Sequence, residues 1–235
     1  MHAEAHTDSL SMPPLDSIQV PDVIPIFPLP RVVLLPGEVL PLHVFEPRYR
    51  DLVRDAVASH NVMGIVEVRP GFERELPGSP PVREVGCVGY IAAHEELPDG
   101  RFLLWLIGLE RFRILEELEA VTAYRQVRVR YEPSPDAAPR LAGVSELREE
   151  LRGLLPELLE IDDAARGQFA QHVAGVSDAQ LVALACQILE LPSSRKQEVL
   201  EAASLADRFL LLYEDLYRHL DANPGLREIN PGELN

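Results

Sequence analysis

The first half of the chain carries short apolar segments that favour β-strands. Several of them alternate apolar and polar positions, which is typical of a strand with one face in water. The clearest helical pattern in this half covers residues 48–59, with Pro47 suited to the first helical position. Short strands around one helix indicate a strongly bent sheet or a partly closed barrel. The predicted strands are 23–29, 39–45, 62–68, 84–93, 101–108, 111–118 and 124–131.

The second half of the chain is predicted to be helical. Three segments begin with a Ser followed three residues later by Gln or Asp, a spacing at which both side chains can cap a helix start. These pairs are Ser177 with Gln180, Ser194 with Gln197, and Ser204 with Asp207, the last fitting less well. The final helix carries an apolar stripe of Leu205, Phe209, Leu212, Leu216 and Leu220. The pattern predicts a small helical bundle.

A proline-rich segment separates the two halves. Residues 132–139 contain three prolines, which can continue neither a helix nor a central strand. The expected fold class is therefore α+β, with a β-rich part followed by a helical subdomain. The predicted boundaries are a flexible tail at 1–21, a β-rich subdomain at 22–133, a linker at 134–142, a helical subdomain at 143–222 and a C-terminal tail at 223–235.

Charge and cysteine content narrow the partners that we expect. The chain has 235 residues and a net charge of −16, which disfavours binding to nucleic acids and to anionic membrane surfaces.

The N-terminus lacks the basic start and apolar segment of a signal peptide, and no apolar run could cross a bilayer, so we expect a cytoplasmic location. Cys87 and Cys186 lie far apart and are interpreted as buried thiols.

The familiar catalytic motifs are missing from the sequence. It contains no phosphate-binding loop, no nucleophile elbow and no paired-histidine zinc motif. Lys196 is the only lysine, so a Ser–Lys dyad would have to use it, and it sits beside Ser194 at a predicted helix start. We therefore expect no enzymatic activity, no cofactor and no metal.

Three polar features could have either a functional or a purely structural role. His43 lies in an apolar strand and is interpreted as a hydrogen-bonded structural residue rather than a ligand. His94, with the two Glu residues after it, is interpreted as a solvated loop end rather than a metal site. Arg125, Arg128 and Arg130 could form a basic stripe for RNA, but a solvated strand face is favoured.

The segment IFPLPRVVLLPGEVLPLHVFEPRYR at residues 26–50 resembles the opening of the LON domain, the N-terminal substrate-binding region of Lon proteases. Further similar segments are GCVGYI at 86–91, GLERFRI at 108–114, and KQEVLE at 196–201 followed by DRF at 207–209. The resemblance covers residues 23 to 221. It implies a PUA-like β pseudo-barrel with a helical subdomain, and a role in capturing unfolded or marked substrates and in oligomer assembly, without the ATPase and peptidase parts.

The favoured function is a stand-alone, non-catalytic module that binds unfolded or client proteins. The alternatives are a structural or regulatory subunit, or homo-oligomer, acting with a separate protease; an enzyme with an unrecognised site; and an RNA-binding barrel.

The loop at residues 70–81 holds the candidate anchors Phe72 and Leu76, which either fold back as a lid or contact clients. Leu34 and Leu35 are further binding candidates. The structural candidates are Glu46, Arg48, Arg111, Gly37 and Gly108, with Glu46 and Arg111 predicted to pair across the barrel or to bond to the backbone.

Overall fold

Six strands and one helix form the β-rich subdomain of the computed structural model, which describes residues 18–119, 121–132 and 144–223. The helix, α1, covers Pro47–Val57, and its buried side chains pack on the barrel. The strands are β1 (Val23–Leu29), β2 (Val39–Val44), β3 (Val62–Glu67), β4 (Val85–Glu96), β5 (Phe102–Glu117) and β6 (Gln126–Tyr131). The predicted tails and linker fall largely outside the described residues.

The sheet closes on itself. Its strand order is β2-β5-β4-β3-β1-β6, and β5 pairs with β6 as well. Five strands therefore form a closed ring, and β2 is not part of it but pairs with β5. β1 and β3 run parallel, while the other pairs are antiparallel. Register shifts between Val88 and Gly89, Ile91 and Ala93, and Ile114 and Glu116 let the long strands curve.

β5 corrects one prediction, because the two strands expected at 101–108 and 111–118 are one continuous strand. Gly108 interrupts the apolar pattern but not the strand. A Cβ atom at this position would lie 2.1 Å from the carbonyl oxygen of Leu35. A glycine inside a strand often marks such a close backbone approach.

Two apolar cores stabilise the molecule. The smaller one fills the barrel, where Phe112 is fully buried and a Cβ on Gly64 or Gly86 would collide with its ring. The larger core joins the barrel to α1 and to the helical subdomain. The helices of that subdomain are α2 (Val144–Leu154), α3 (Asp163–Gly175), α4 (Asp178–Ile188), α5 (Ser193–Glu201) and α6 (Leu205–Ala222).

The helix starts confirm two of the three predicted caps. Ser177 with Gln180 and Ser204 with Asp207 form complete capping boxes. The prediction for Ser194 is wrong, because α5 begins at Ser193 and Pro192 occupies the cap position. The carbonyl of Pro192 already accepts from the N–H groups of Arg195 and Lys196, so Ser194 lies inside the first turn.

The apolar stripe predicted for α6 is confirmed. All five of its residues are buried in the larger core. The period of the pattern was sufficient to find the buried face, since helical residues three and four apart lie on one side.

Candidate functional site

The turn at residues 34–38 ties the barrel to the helices. The N–H of Gly37 donates to the carbonyl of Gly108 at 2.8 Å, and the N–H of Gly108 donates to the carbonyl of Glu38 at 2.8 Å. Gly37 has a φ of 82°, and a Cβ there would lie 2.9 Å from the side chain of Gln180 on α4. Both glycines therefore act structurally at this turn. Leu34 and Leu35 are each 1% exposed and pack in the larger core, so they do not lie at a surface where a partner could contact them.

A buried carboxylate at the same turn was missed by the sequence analysis. Glu38 accepts a hydrogen bond from the N–H of Leu35 at 2.9 Å, and from the side chains of Gln187 and Lys196 at 3.2 Å each. The single lysine is thus paired with Glu38, linking α5 to the turn. The available signal was a charged residue within an apolar segment beside Pro36 and Gly37.

Glu46 and Arg111 do not pair with each other across the barrel, so the first of the two predicted arrangements is absent. The Arg111 guanidinium donates to the carbonyls of Leu200 and Ala202, at 3.1 and 2.7 Å, and lies 3.6 Å from the carboxylate of Glu132. These two carbonyls lie at the end of α5, where a cation is favoured by the helix dipole. Of the predicted alternatives for Arg111, bonding to backbone carbonyls is the one that the structure contains.

Glu46 and Arg48 fix the loop at residues 70–81. Their side chains form an ion pair at 3.0 Å. Arg48 donates to the carbonyl of Gly78 at 2.8 Å and to that of Leu76. The loop contains one short 3-10 turn, Glu73–Glu75. Phe72 is 38% exposed and the side chain of Leu76 is half-buried, so one candidate anchor faces solvent while the other is partly covered.

The outer face of β2 and β5 carries a group of neighbouring, mainly apolar side chains that are exposed or half-buried, here called the Trp105 face. Pro41 lies directly opposite Trp105, Val39 opposite Ile107, and His43 opposite Leu103. Trp105 is 42% exposed and Phe45, next to the end of β2, is 61% exposed. The members of the Trp105 face are Val39, Pro41, His43, Phe45, Leu103, Trp105 and Ile107.

His43 corrects another prediction, since it is exposed and has no hydrogen bond within the described residues. Its ring lies 6.1 Å from that of Phe45. Alternate positions of β2 point to opposite faces, and Leu40, Leu42 and Val44 pack on the larger core. His43 therefore belongs to the outward set.

β2 also presents a backbone edge, because among the described strands it pairs only with β5. The N–H of Gly108 donates to Glu38, so the even-numbered positions of β2 bond to β5 and positions 39, 41 and 43 direct their backbone groups outward. Pro41 has no N–H to offer there. A proline at an outward position limits uncontrolled strand pairing along an edge.

The arginines and thiols considered as functional candidates are paired or buried. Arg125, Arg128 and Arg130 pair with Glu117, Glu116 and Glu132, so the candidate RNA stripe is neutralised by carboxylates. Both cysteines are buried and free, and burial raises the pKa of the Cys186 thiol to about 12. No group of His, Cys, Asp and Glu among the described residues could hold a metal ion, and no helix in that part of the chain is long and apolar enough to span a membrane.

Glu110 on β5 provides a pH-dependent test of the barrel. Partial burial raises the pKa of its carboxyl above the ordinary 4.5, and no ion-pair partner for it lies within the described residues. The folded state therefore binds this proton more tightly than the unfolded chain does, and stability is lost as the pH rises through the raised pKa. We expect Glu110→Gln to melt at a higher temperature than the native chain at pH 8, with the difference shrinking towards pH 4.

The control for this measurement is Glu116→Gln on the same strand, because Glu116 is exposed and paired with Arg128. Thermal melts of all three proteins at both pH values give the comparison. A Glu110→Gln variant that melts below the native chain at pH 8 would contradict the assignment.

The comparisons with known proteins agree with this architecture. The family model for the ATP-dependent protease La (LON) substrate-binding domain matches residues 23–218. The chain therefore belongs to the LON substrate-binding domain family. Lon protease from Anaeromyxobacter dehalogenans and Lon protease 2 from Myxococcus xanthus are each 30% identical over 200 residues, covering 85% of this chain but only 23% and 24% of those proteins. The chain thus spans about a quarter of the length of these relatives.

Two solved structures have the same fold. The N-terminal domain of Mycobacterium avium complex Lon protease superposes with a TM-score of 0.66 at 18% identity, covering 84% of this chain and all of that one. A Lon N-terminal domain protein from Xanthomonas campestris gives 0.56 at 26% identity, covering 83% and 97%. The predicted α+β fold, a β pseudo-barrel followed by a helical subdomain, is confirmed.

Proposed function

We propose that this chain binds exposed apolar segments of unfolded or client proteins through the Trp105 face, without catalysing a reaction, in the context of proteolysis. The observation that carries the proposal is this face, which places an exposed Trp and Phe beside a strand edge that no other described strand covers. The matching family is named for substrate binding, which supports the same role. We place this function in the cytoplasm, since two free, buried cysteines fit a reducing compartment.

The chemistry of the Trp105 face suits an extended apolar segment. Large aromatic side chains contribute most of the binding free energy in many protein interfaces, and Trp is prominent among them. A client strand laid along β2 would meet backbone groups at positions 39 and 43 and apolar side chains between them. The missing N–H of Pro41 weakens such pairing, so side-chain contacts would supply most of the affinity.

The loop at residues 70–81 is proposed as a second client contact, with Phe72 as its exposed anchor and Leu76 as its half-buried one. The loop is held to α1 by Arg48, which limits the entropy lost when a client docks on it. Leu34 and Leu35 would support binding only indirectly, by holding the turn next to β2 in the core.

The alternative function is a structural or regulatory subunit that pairs with copies of itself or with a separate protease. The same apolar face favours this possibility, because two copies could bury it against each other. The enzymatic alternative is weaker, since Lys196 is engaged by Glu38 and both thiols are buried.

We expect Trp105→Ser to weaken binding of an unfolded protein by about 2 kcal/mol, as removal of an interface anchor does. The probe is reduced and alkylated lactalbumin, titrated against folded protein by fluorescence anisotropy. Leu115→Ser is the matched control, because Leu115 lies on the same strand, is 53% exposed and is not part of the Trp105 face.

Sedimentation of the native chain and of Trp105→Ser separates the two functions. A native dimer that Trp105→Ser converts to monomer, with lactalbumin binding unchanged, would favour the subunit alternative. Equal loss of binding in the Trp105 and Leu115 variants would show that general surface hydrophobicity, not this face, is responsible.

A further inference from the structure

Three arginines converge on one cavity of an otherwise acidic protein. A cavity of about 560 Å³ is lined by Arg69, Arg83 and Arg113 together with Phe72, Glu84 and Val85, and is here called the arginine pocket. Its volume lies within the range of ordinary ligand sites, about 300–1,000 Å³. The chain has only 22 basic side chains against 38 acidic ones, so three arginines around one cavity are a local concentration of positive charge, partly offset by Glu84 and Glu201 in the same lining.

Hydrogen bonds hold two of these arginines, and an ion pair holds the third. Arg113 donates to a carboxylate oxygen of Glu132 at 3.0 Å, and Arg69 donates through Nε to the carbonyl of Val82 at 2.9 Å. Arg83 lies 3.5 Å from the buried carboxylate of Glu67, but its Nε forms no hydrogen bond within the described residues. The guanidinium groups of Arg69 and Arg113 are thus oriented before any ligand arrives, which lowers the cost of binding.

Glu84 is the displaceable partner in the pocket. Its carboxylate bridges Arg69 at 3.9 Å and Arg113 at 3.5 Å, distances too long for strong hydrogen bonds, and its side chain is 66% exposed. Exposed ion pairs of this kind contribute little to stability. An external carboxylate with better geometry can therefore replace Glu84 between the two guanidinium groups at small cost.

We propose that the arginine pocket binds an Asp or Glu side chain of a partner protein, with an adjacent apolar residue packed on Phe72 and Val85. Arginine forks match the planar, two-oxygen geometry of a carboxylate. Glu84 and Glu201 also line the pocket, and together with the net charge of −16 they disfavour dense polyanions. A single carboxylate beside an apolar group fits this mixed lining.

The arginine pocket is separate from the Trp105 face but shares Phe72 with the proposed loop contact, so this inference rests in part on the proposed function and adds a carboxylate site to it. On the paired strands β4 and β5, Val85 lies opposite Arg113 and Ala93 lies opposite Trp105. Trp105 and Arg113 lie eight positions apart on β5, which corresponds to about 26 Å measured along the strand. Loss of one site therefore leaves the other measurable in the same protein.

The test titrates the full chain with the blocked peptide acetyl-Gly-Phe-Asp-Leu-Gly-amide and with its Asp→Asn counterpart. NMR resonances of the Arg side-chain Nε–H groups report occupancy of the pocket. We expect the Asp peptide to bind about tenfold more tightly than the Asn peptide, because hydrogen bonds to a charged carboxylate are stronger than those to a neutral amide. The affinity should fall as salt is added.

Variants with opposite expected effects on the affinity for the Asp peptide distinguish recognition from a structural role. Arg69→Gln with Arg113→Gln should abolish the preference for the Asp peptide, while Glu84→Gln should strengthen its binding by about threefold because the internal competitor is removed. Arg128→Gln is the matched control, since Arg128 is an exposed, paired arginine outside the pocket. Trp105→Ser should leave peptide binding at the pocket unchanged, whatever it does to unfolded-protein binding.

Three results would overturn the proposal. The first is equal affinity for the Asp and Asn peptides, or no saturable shift of the arginine resonances. The second is a Glu84→Gln variant that binds the Asp peptide more weakly than the native chain while remaining folded. The third is inorganic phosphate binding as tightly as the peptide and displacing it, which would define a small-anion site instead.

Discussion

Arg111→Ala should lower the free energy of unfolding by roughly 3–5 kcal/mol, the usual cost of removing one partner from a buried charged network. Arg111 is 8% exposed and bonds to the carbonyls of Leu200 and Ala202 at the end of α5. Alanine leaves both carbonyls without this donor and leaves Glu132 with fewer cations. Because these bonds join β5 to α5, the loss should reach both subdomains.

Urea unfolding monitored by circular dichroism measures this effect. Arg130→Ala is the matched control, since Arg130 is largely exposed and contacts the same Glu132 carboxylate at 3.4 Å. We expect the control to stay within about 1 kcal/mol of the native chain. Arg111→Lys should recover only part of the stability, because a lysine lacks the fork that donates from Nη1 to the two α5 carbonyls and from Nε to the carbonyl of Glu132. An Arg111→Ala variant as stable as Arg130→Ala would refute the structural role.

Glu38→Ala should lower the free energy of unfolding by about 3 kcal/mol, nearly as much as Arg111→Ala. Its buried carboxylate accepts three hydrogen bonds, from the N–H of Leu35 and from the side chains of Gln187 and Lys196. Removal leaves the Leu35 N–H and the Lys196 ammonium without their acceptor in a largely buried setting. This loss lies at the lower end of the roughly 3–5 kcal/mol expected for removing one partner of a buried pair, because Lys196 retains some contact with water.

A double-mutant cycle with Lys196→Met isolates the ion pair. The double variant should be less destabilised than the sum of the two single variants, with a coupling of about 0.5–3 kcal/mol, because it leaves no unpaired charge. Additive effects would show that Glu38 acts through Leu35 and Gln187 alone. Unfolding curves in urea for the four proteins are sufficient, provided that their denaturant slopes agree.

Both networks attach the helical subdomain to the barrel next to the candidate binding surfaces. Glu38 immediately precedes β2, which forms half of the Trp105 face, and Arg111 lies two residues before Arg113 of the arginine pocket. The stability of these contacts and the geometry of the surfaces are therefore linked. Variants at Glu38 and Arg111 test architecture, whereas variants at Trp105 and Glu84 test binding.

The sequence by itself determined those features that depend on neighbours a few residues away. Strand and helix periodicity located β1, β2, α1 and the buried face of α6, because side-chain direction repeats every two or 3.6 residues. The capping boxes at Ser177 and Ser204 followed from spacing of the same local kind. The segment at residues 26–50 was distinctive enough to indicate the family and, through it, the α+β pseudo-barrel fold.

Only the tertiary structure decided which residues meet across the chain. The acceptors of Arg111 lie 89 and 91 residues further along, and Lys196 lies 158 residues after Glu38, so no local pattern could reveal these partners. The closure of β5 on β6 and the outward position of β2 likewise placed Trp105 in solvent and Leu34 in the core. An apolar residue in a strand carries the same local signal on either face, and burial is settled by what the rest of the fold packs against it.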